Sequence, residues 1–125
     1  MQKIVEKIKN NVPIQNMNQE LFNKIVEYCI NNDDRQLCWL LYFEYASFNP
    51  AKIEDFYIAK RDSFYACELI SIAEGNMDID NFINKIIATK DTNFIAWIEL
   101  NPAVKDQLTN EQHQRLRNAC KNTNN

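Results

Sequence analysis

The chain has 125 residues, of which 46% are hydrophobic, and a formal net charge of −3 at pH 7. This length fits one domain that can bury about two thirds of its unfolded surface. A single glycine and three prolines argue against a turn-rich all-β fold. No apolar run of about 18 residues and no apolar leader at the N-terminus is present, so we expect a cytoplasmic protein without a membrane span.

A repeated pattern of apolar residues predicts three helix pairs. Asp34, Asp62 and Asp91 are 28 and 29 residues apart and serve as reference positions. Each copy is apolar nine and four positions before its aspartate and three, four and seven positions after it: Ile25, Ile30, Leu37, Cys38 and Leu41; Ile53, Ile58, Tyr65, Ala66 and Leu69; Phe82, Ile87, Phe94, Ile95 and Ile98. These offsets fall on one face of a helix on either side of the aspartate. Each aspartate is therefore predicted to cap the second helix of its pair.

The first segment, residues 1–11, is predicted to be a short amphipathic helix. Ile4, Val5 and Ile8 fall on one face, and Pro13 ends the helix because proline disfavours helical structure in the residue before it. Three aliphatic residues make a small apolar face. We therefore expect this helix to cap the core rather than to bind a membrane.

The three repeats are predicted to span residues 18–47, 49–75 and 78–101 of a single helical domain, 1–125. Candidate cap residues bound their helices: Asn18, Asn49 followed by Pro50, Asp78 or Asp80, and Gly75 at the end of the second repeat. After the third repeat the period fades. Thr109 and Gln112 then predict a capping box at the start of a closing helix over residues 109–121.

The second helix of the first repeat is apolar on all sides. Leu37, Cys38, Leu41 and Tyr45 are predicted to face the core. Trp39 and Phe43 lie on the opposite side, and a helix of this kind is usually enclosed. In a stack, the matching positions of the next repeat are the smaller Cys67 and Ser71, which favours nesting of large against small side chains. The alternative is that Trp39 and Phe43 form an exposed aromatic anchor for a partner.

Chemically active residues form no recognisable catalytic motif. Cys29, Cys38, Cys67 and Cys120 include no closely spaced pair, so we expect thiols that act as small hydrophobic groups. The single histidine, His113, is predicted to lie on the surface. We expect no catalytic residue, metal site or cofactor.

Charge is concentrated in the repeats. Residues 33–99 contain twelve Asp or Glu and six Lys or Arg, a net of −6, whereas the flanking segments are net basic. Such a surface repels nucleic acid and attracts a basic protein, although it also serves as ordinary solubilising charge. The predicted partner-binding residues are four carboxylates and three aromatic residues: Glu54, Asp55, Glu68, Glu99, Trp39, Phe43 and Trp97.

Two segments carry a family resemblance. Lys60-Arg61-Asp62-Ser63-Phe64-Tyr65-Ala66 and Lys90-Asp91-Thr92-Asn93-Phe94-Ile95 resemble the short HEAT-like α-hairpin repeats of uncharacterised bacterial and phage proteins. The resemblance covers residues 18–101, but the first copy has Asn32-Asp33-Asp34 in place of the basic residue. It implies an all-α, right-handed stack of about three helix pairs with short capping helices at both ends, and it implies protein binding.

These observations support one main functional hypothesis and two alternatives. The main one is an interaction module that binds one protein partner, in a narrower form an inhibitor or immunity protein that masks a basic toxin or nuclease. The first alternative is an enzyme or enzyme subunit with a helix-borne carboxylate, Glu68 or Glu99, in a deep pocket. The second is an architectural homodimer that closes through Trp39 and Phe43.

Overall fold

The fold is all-α, as the sequence predicts. The structure, a computed structural model, describes residues 1–73 and 77–122. Within these ranges there is no strand, and the residues form nine helices: α1 Gln2–Lys9, α2 Gln19–Asn31, α3 Arg35–Tyr45, α4 Ala51–Ala59, α5 Ser63–Ser71, α6 Ile79–Ala88, α7 Thr92–Leu100, α8 Pro102–Lys105 and α9 Asn110–Asn122. The contacts divide the chain into two compact units, Met1–Phe56 and Tyr57–Asn125.

In the first unit, α3 packs against both α1 and α2. The most buried large side chains of this unit are Phe22, Ile25, Leu37, Leu41, Tyr42 and Ile53. The segment after α1 is tied to α3 by a hydrogen bond of 3.1 Å that the Ile14 amide donates to the Tyr45 hydroxyl. Tyr45 was expected in the core, but Tyr42 takes that place and Tyr45 is half-buried.

In the second unit, α7 is the central helix and packs against α5, α6, α8 and α9. Helix α8, a single turn over Pro102–Lys105, was not predicted, because it lies where the repeat pattern fades. It contacts both α5 and α7, and its Val104 is fully buried. Helix α5 ends at Ser71, earlier than predicted, and the expected terminal glycine, Gly75, lies outside the described residues.

The same turn joins the two helices of each predicted pair. Asp34, Asp62 and Asp91 accept hydrogen bonds of 3.0 to 3.2 Å from the backbone amides of Leu37, Tyr65 and Phe94, respectively. The predicted capping role of the three aspartates is confirmed. In each turn the residue before the aspartate has a positive φ, 50° at Asp33, 54° at Arg61 and 56° at Lys90.

The apolar offsets also identify most of the core. Twelve of the fifteen predicted positions are buried, and the other three, Ile30, Tyr65 and Ile87, are half-buried. The predicted capping box at the closing helix is present, because the amides of Thr109 and Gln112 each bond to the side chain of the other. Cys29, Cys38 and Cys67 are buried free thiols, and Cys120 is half-buried.

Candidate functional site

The outward face of α7 exposes two large apolar side chains, Trp97 and Leu100. They are 69% and 74% exposed, although the neighbouring Phe94, Ile95 and Ile98 are buried. Trp97 and Leu100 are three positions apart, so they lie on the same side of the helix. Together with the end of α7 and the start of α8 they line a cleft of about 250 Å³: Asn93, Ala96, Trp97, Leu100, Asn101 and Pro102. We call these six residues the Trp97 face.

A third exposed large apolar residue, Phe64, lies on the neighbouring helix α5. Helix α5 packs against α7, and its Phe64 is 62% exposed while making an edge-on contact with Tyr65 at 5.0 Å. Exposed large apolar side chains that line one cleft, as Trp97 and Leu100 do, commonly mark interaction sites on a folded monomer. Of these three residues, only Trp97 was predicted as a partner-binding residue.

The missed residue Leu100 could have been found from the repeat. It stands nine positions after Asp91, just as Phe43 stands nine positions after Asp34, and both side chains are exposed. Phe64 carries no comparable pattern, because the matching positions in the other copies are Gln36 and Asn93.

Leu100 also borders a second, larger cleft in the same unit. This cleft has a volume of about 610 Å³ and is lined by residues from α7, α8, α9 and the segment between α8 and α9: Glu99, Leu100, Lys105, Asp106, Leu108, Asn110, His113, Gln114 and Arg117. The Glu99 side chain is only 10% exposed, and its Oε1 accepts a bond of 2.8 Å from Arg117 Nε. The sequence-predicted docking residue Glu99 is therefore enclosed and paired with a cation.

His113 is enclosed in the same cleft as Glu99. It was predicted from the sequence to lie on the surface. Its side chain is 12% exposed. Nε2 donates a hydrogen bond of 2.9 Å to the Lys105 carbonyl, since a carbonyl oxygen can only accept. Nδ1 lies 3.9 Å from Glu99 Oε1 and has no hydrogen-bond partner among the described residues. The prediction was wrong because α8 and its Lys105 carbonyl, which hold the ring in place, were not recognised in the sequence.

The two aromatic residues predicted on α3 differ in exposure. Phe43 is 56% exposed, and Trp39 is half-buried, with its ring stacked on Phe43 at a centroid distance of 5.3 Å. The prediction that this helix is enclosed on all sides is therefore wrong at Phe43. The Trp39 Nε1 atom is buried and has no hydrogen-bond partner in the described ranges.

The remaining predicted carboxylates lie on α4 and α5. Glu54 is half-buried and accepts a hydrogen bond of 3.0 Å from the Tyr42 hydroxyl. Burial, with a further contribution from Glu54, raises the pKa of Tyr42. Asp55 is exposed and Glu68 is half-buried. Of the four predicted carboxylates, Glu68 and Glu99 belong to the same unit as the Trp97 face. Glu99 also lines the cleft that shares Leu100 with this face.

The acidic repeats are partly neutralised by the basic flanks. Lys9 of α1 lies 2.9 Å from Asp34, and this contact raises the pKa of Lys9 through the hydrogen bond and the charge of the aspartate. At the other end of the chain, Arg115 and Arg117 of α9 pair with Asp80 and Glu99. The excess negative charge of residues 33–99 is thus smaller at the surface than the sequence suggests.

Two further features of the described residues bear on the kind of site. Among residues 1–73 and 77–122, no cluster of three or more His, Cys, Asp or Glu side chains is arranged to hold a metal ion. None of the helices described is both long enough and apolar enough to span a bilayer.

Comparison of the chain with protein-family models, with curated protein sequences and with solved structures produced no match.

Proposed function

We propose that this protein is an interaction module that binds a protein partner through the Trp97 face. The observation that carries the proposal is the exposure of Trp97 and Leu100 around an apolar cleft on α7. Tryptophan is enriched among the residues that dominate binding energies at protein interfaces, because a large rigid side chain loses much apolar area to the partner. The resemblance to HEAT-like repeats, which implies protein binding, agrees with this proposal.

Affinity capture tests this function when it compares matched variants. The tagged wild-type chain, Trp97→Ser and Phe43→Ser are each incubated with lysate of the natural host, and the captured proteins are quantified. Both substitutions remove an exposed aromatic side chain, so neither is expected to disturb the fold. We expect Trp97→Ser to reduce capture of the partner by about tenfold or more, and Phe43→Ser to leave it unchanged. Equal capture by wild type and Trp97→Ser would contradict the proposal.

The proposal includes a basic partner, but fewer of the predicted carboxylates are placed to attract it. Because Glu99 is enclosed, Glu68 is the predicted carboxylate in the same unit as the Trp97 face that is left to attract such a partner. Added salt and the charge reversal Glu68→Lys should then slow association. A basic partner captured at low salt and lost at moderate salt would favour the inhibitor or immunity protein. A partner retained at both salt concentrations would indicate that the apolar contact contributes most of the binding energy.

The cleft around Glu99 favours a second candidate, an acid–base enzyme. A carboxylate that is 10% exposed, an imidazole at 3.9 Å and an arginine at 2.8 Å share one cleft of about 610 Å³. Carboxyl and imidazole groups in such an enclosure can transfer protons to a bound substrate. The test is a substrate screen with wild type and Glu99→Gln, in which only turnover that Glu99→Gln abolishes supports an enzyme. Turnover by both proteins, or by neither, would remove this candidate.

A further inference from the structure

We propose that the partner held at the Trp97 face is a second copy of this chain, related to the first by a two-fold axis. This inference rests on the proposed function and identifies its partner. Two observations support it: the absence of charge from the centre of the face, and the arrangement of opposite charges at its edge.

The centre of the face is suited to contact with itself. None of the six residues of the Trp97 face carries a charge. In a two-fold contact, groups near the axis lie close to their own copies, so a charged side chain there would face its like. A neutral apolar centre avoids this repulsion. The exposed Asn93 at its edge carries both a donor and an acceptor, so two copies of this amide can bond to each other.

The edge of the face carries one charge of each sign. Lys105 and Asp106 are consecutive at the end of α8, are both exposed, and border the cleft that shares Leu100 with the Trp97 face. In the part of the chain that the structure describes, neither side chain has an ion-pair partner. In the dimer that we propose, Lys105 of one copy pairs with Asp106 of the other, and the two-fold axis then forms the reverse contact at the same time. A uniformly basic or acidic partner would match only one of these two charges.

Sedimentation velocity of the full chain over a range of concentrations tests the association. We expect a reversible monomer–dimer equilibrium with a dissociation constant on the order of 10 µM. Leu100→Asp places like charges near the axis and should raise this constant at least about tenfold. Phe43→Ser should leave it unchanged, which separates this dimer from one that closes through Trp39 and Phe43. A chain that stays monomeric at all concentrations would overturn the inference.

Charge exchange at the edge tests the two-fold arrangement itself. Lys105→Asp and Asp106→Lys, made singly, should each weaken the dimer several-fold, because each brings like charges together. The double exchange keeps one charge of each sign and should restore the dissociation constant to within about threefold of wild type. Failure of the double exchange to restore association would overturn the two-fold arrangement. A monomer whose capture of another protein depends on Trp97 would overturn this inference alone, whereas a monomer that captures nothing would also remove the proposed function.

Discussion

Arg117 and Glu99 form an ion pair whose two members differ in exposure. Arg117 Nε lies 2.8 Å from Glu99 Oε1, and the residues are 18 positions apart on α9 and α7. The arginine side chain is more than half exposed, whereas the glutamate is almost enclosed. The carboxylate therefore depends on its partner, because water can solvate the arginine but reaches little of the glutamate.

Removal of either partner should reveal this asymmetry. Arg117→Ala leaves an enclosed carboxylate without its cation, and we expect a loss of about 1–2 kcal/mol in the free energy of unfolding. Glu99→Gln leaves a solvated arginine and a neutral amide, and should cost less. Urea unfolding of the two variants measures the difference. A larger loss for Glu99→Gln than for Arg117→Ala would contradict this account.

The aspartate caps allow a second prediction with a built-in control. Asp91 accepts a bond of 3.1 Å from the Phe94 amide and also lies 3.5 Å from Arg61 Nε. Asp91→Ala removes the cap and should lower the free energy of unfolding by about 1 kcal/mol. Asp91→Asn keeps an equally good capping group and loses only an exposed ion pair, so its cost should be a few tenths of a kcal/mol. Equal losses for the two variants would show that the charge, and not the cap, stabilises this turn.

The sequence predicts the features that local rules control. Capping depends on the residue itself and the two or three after it, so Asn18, Asp62 and Asp91 could be identified by position alone. Helical periodicity likewise predicted most of the buried positions, because the face of a helix is fixed at 3.6 residues per turn.

The parts of the site that were missed depend on tertiary contacts. His113 and Glu99 become enclosed only because α8 and α9 pack against α7, which no local pattern reveals. Phe43 is the reverse case. Its helix is apolar all round, but the sequence does not show which face neighbouring segments leave uncovered.

The positive φ before each aspartate gives a third prediction. Lys90 has φ of 56°, a conformation that costs a residue with a Cβ atom about 1 kcal/mol and costs glycine almost nothing. The greater freedom of glycine in the unfolded chain offsets about half of this gain. We therefore expect Lys90→Gly to raise the free energy of unfolding by about 0.5 kcal/mol. The matched control is the exposed Lys24 in the middle of α2, where Lys24→Gly should lower the free energy of unfolding by about 1 kcal/mol. Urea unfolding should give opposite signs, and destabilisation by both changes would contradict the prediction.

The fourth prediction concerns alkaline pH and the buried thiol of Cys67. Burial, with a smaller contribution from the charge of Glu68, raises the pKa of Cys67 from 9.0 to about 12. Above pH 9.0 the unfolded chain loses this proton while the folded chain keeps it, so the unfolded state binds fewer protons. The stabilisation is therefore complete below pH 9.0 and is lost as the pH rises towards about 12.

Cys67→Ala should isolate this contribution, because the variant has no thiol to ionise in either state. Between pH 9.0 and about 12 we expect the free energy of unfolding of the wild type to fall more steeply than that of the variant, by about 1.4 kcal/mol per pH unit. The comparison uses slopes, so the loss of packing caused by the smaller side chain shifts the variant's whole curve without affecting the result. The other ionisable groups titrate in both proteins and cancel in the difference. Parallel pH curves would show that the Cys67 thiol ionises as readily in the folded chain as in the unfolded one.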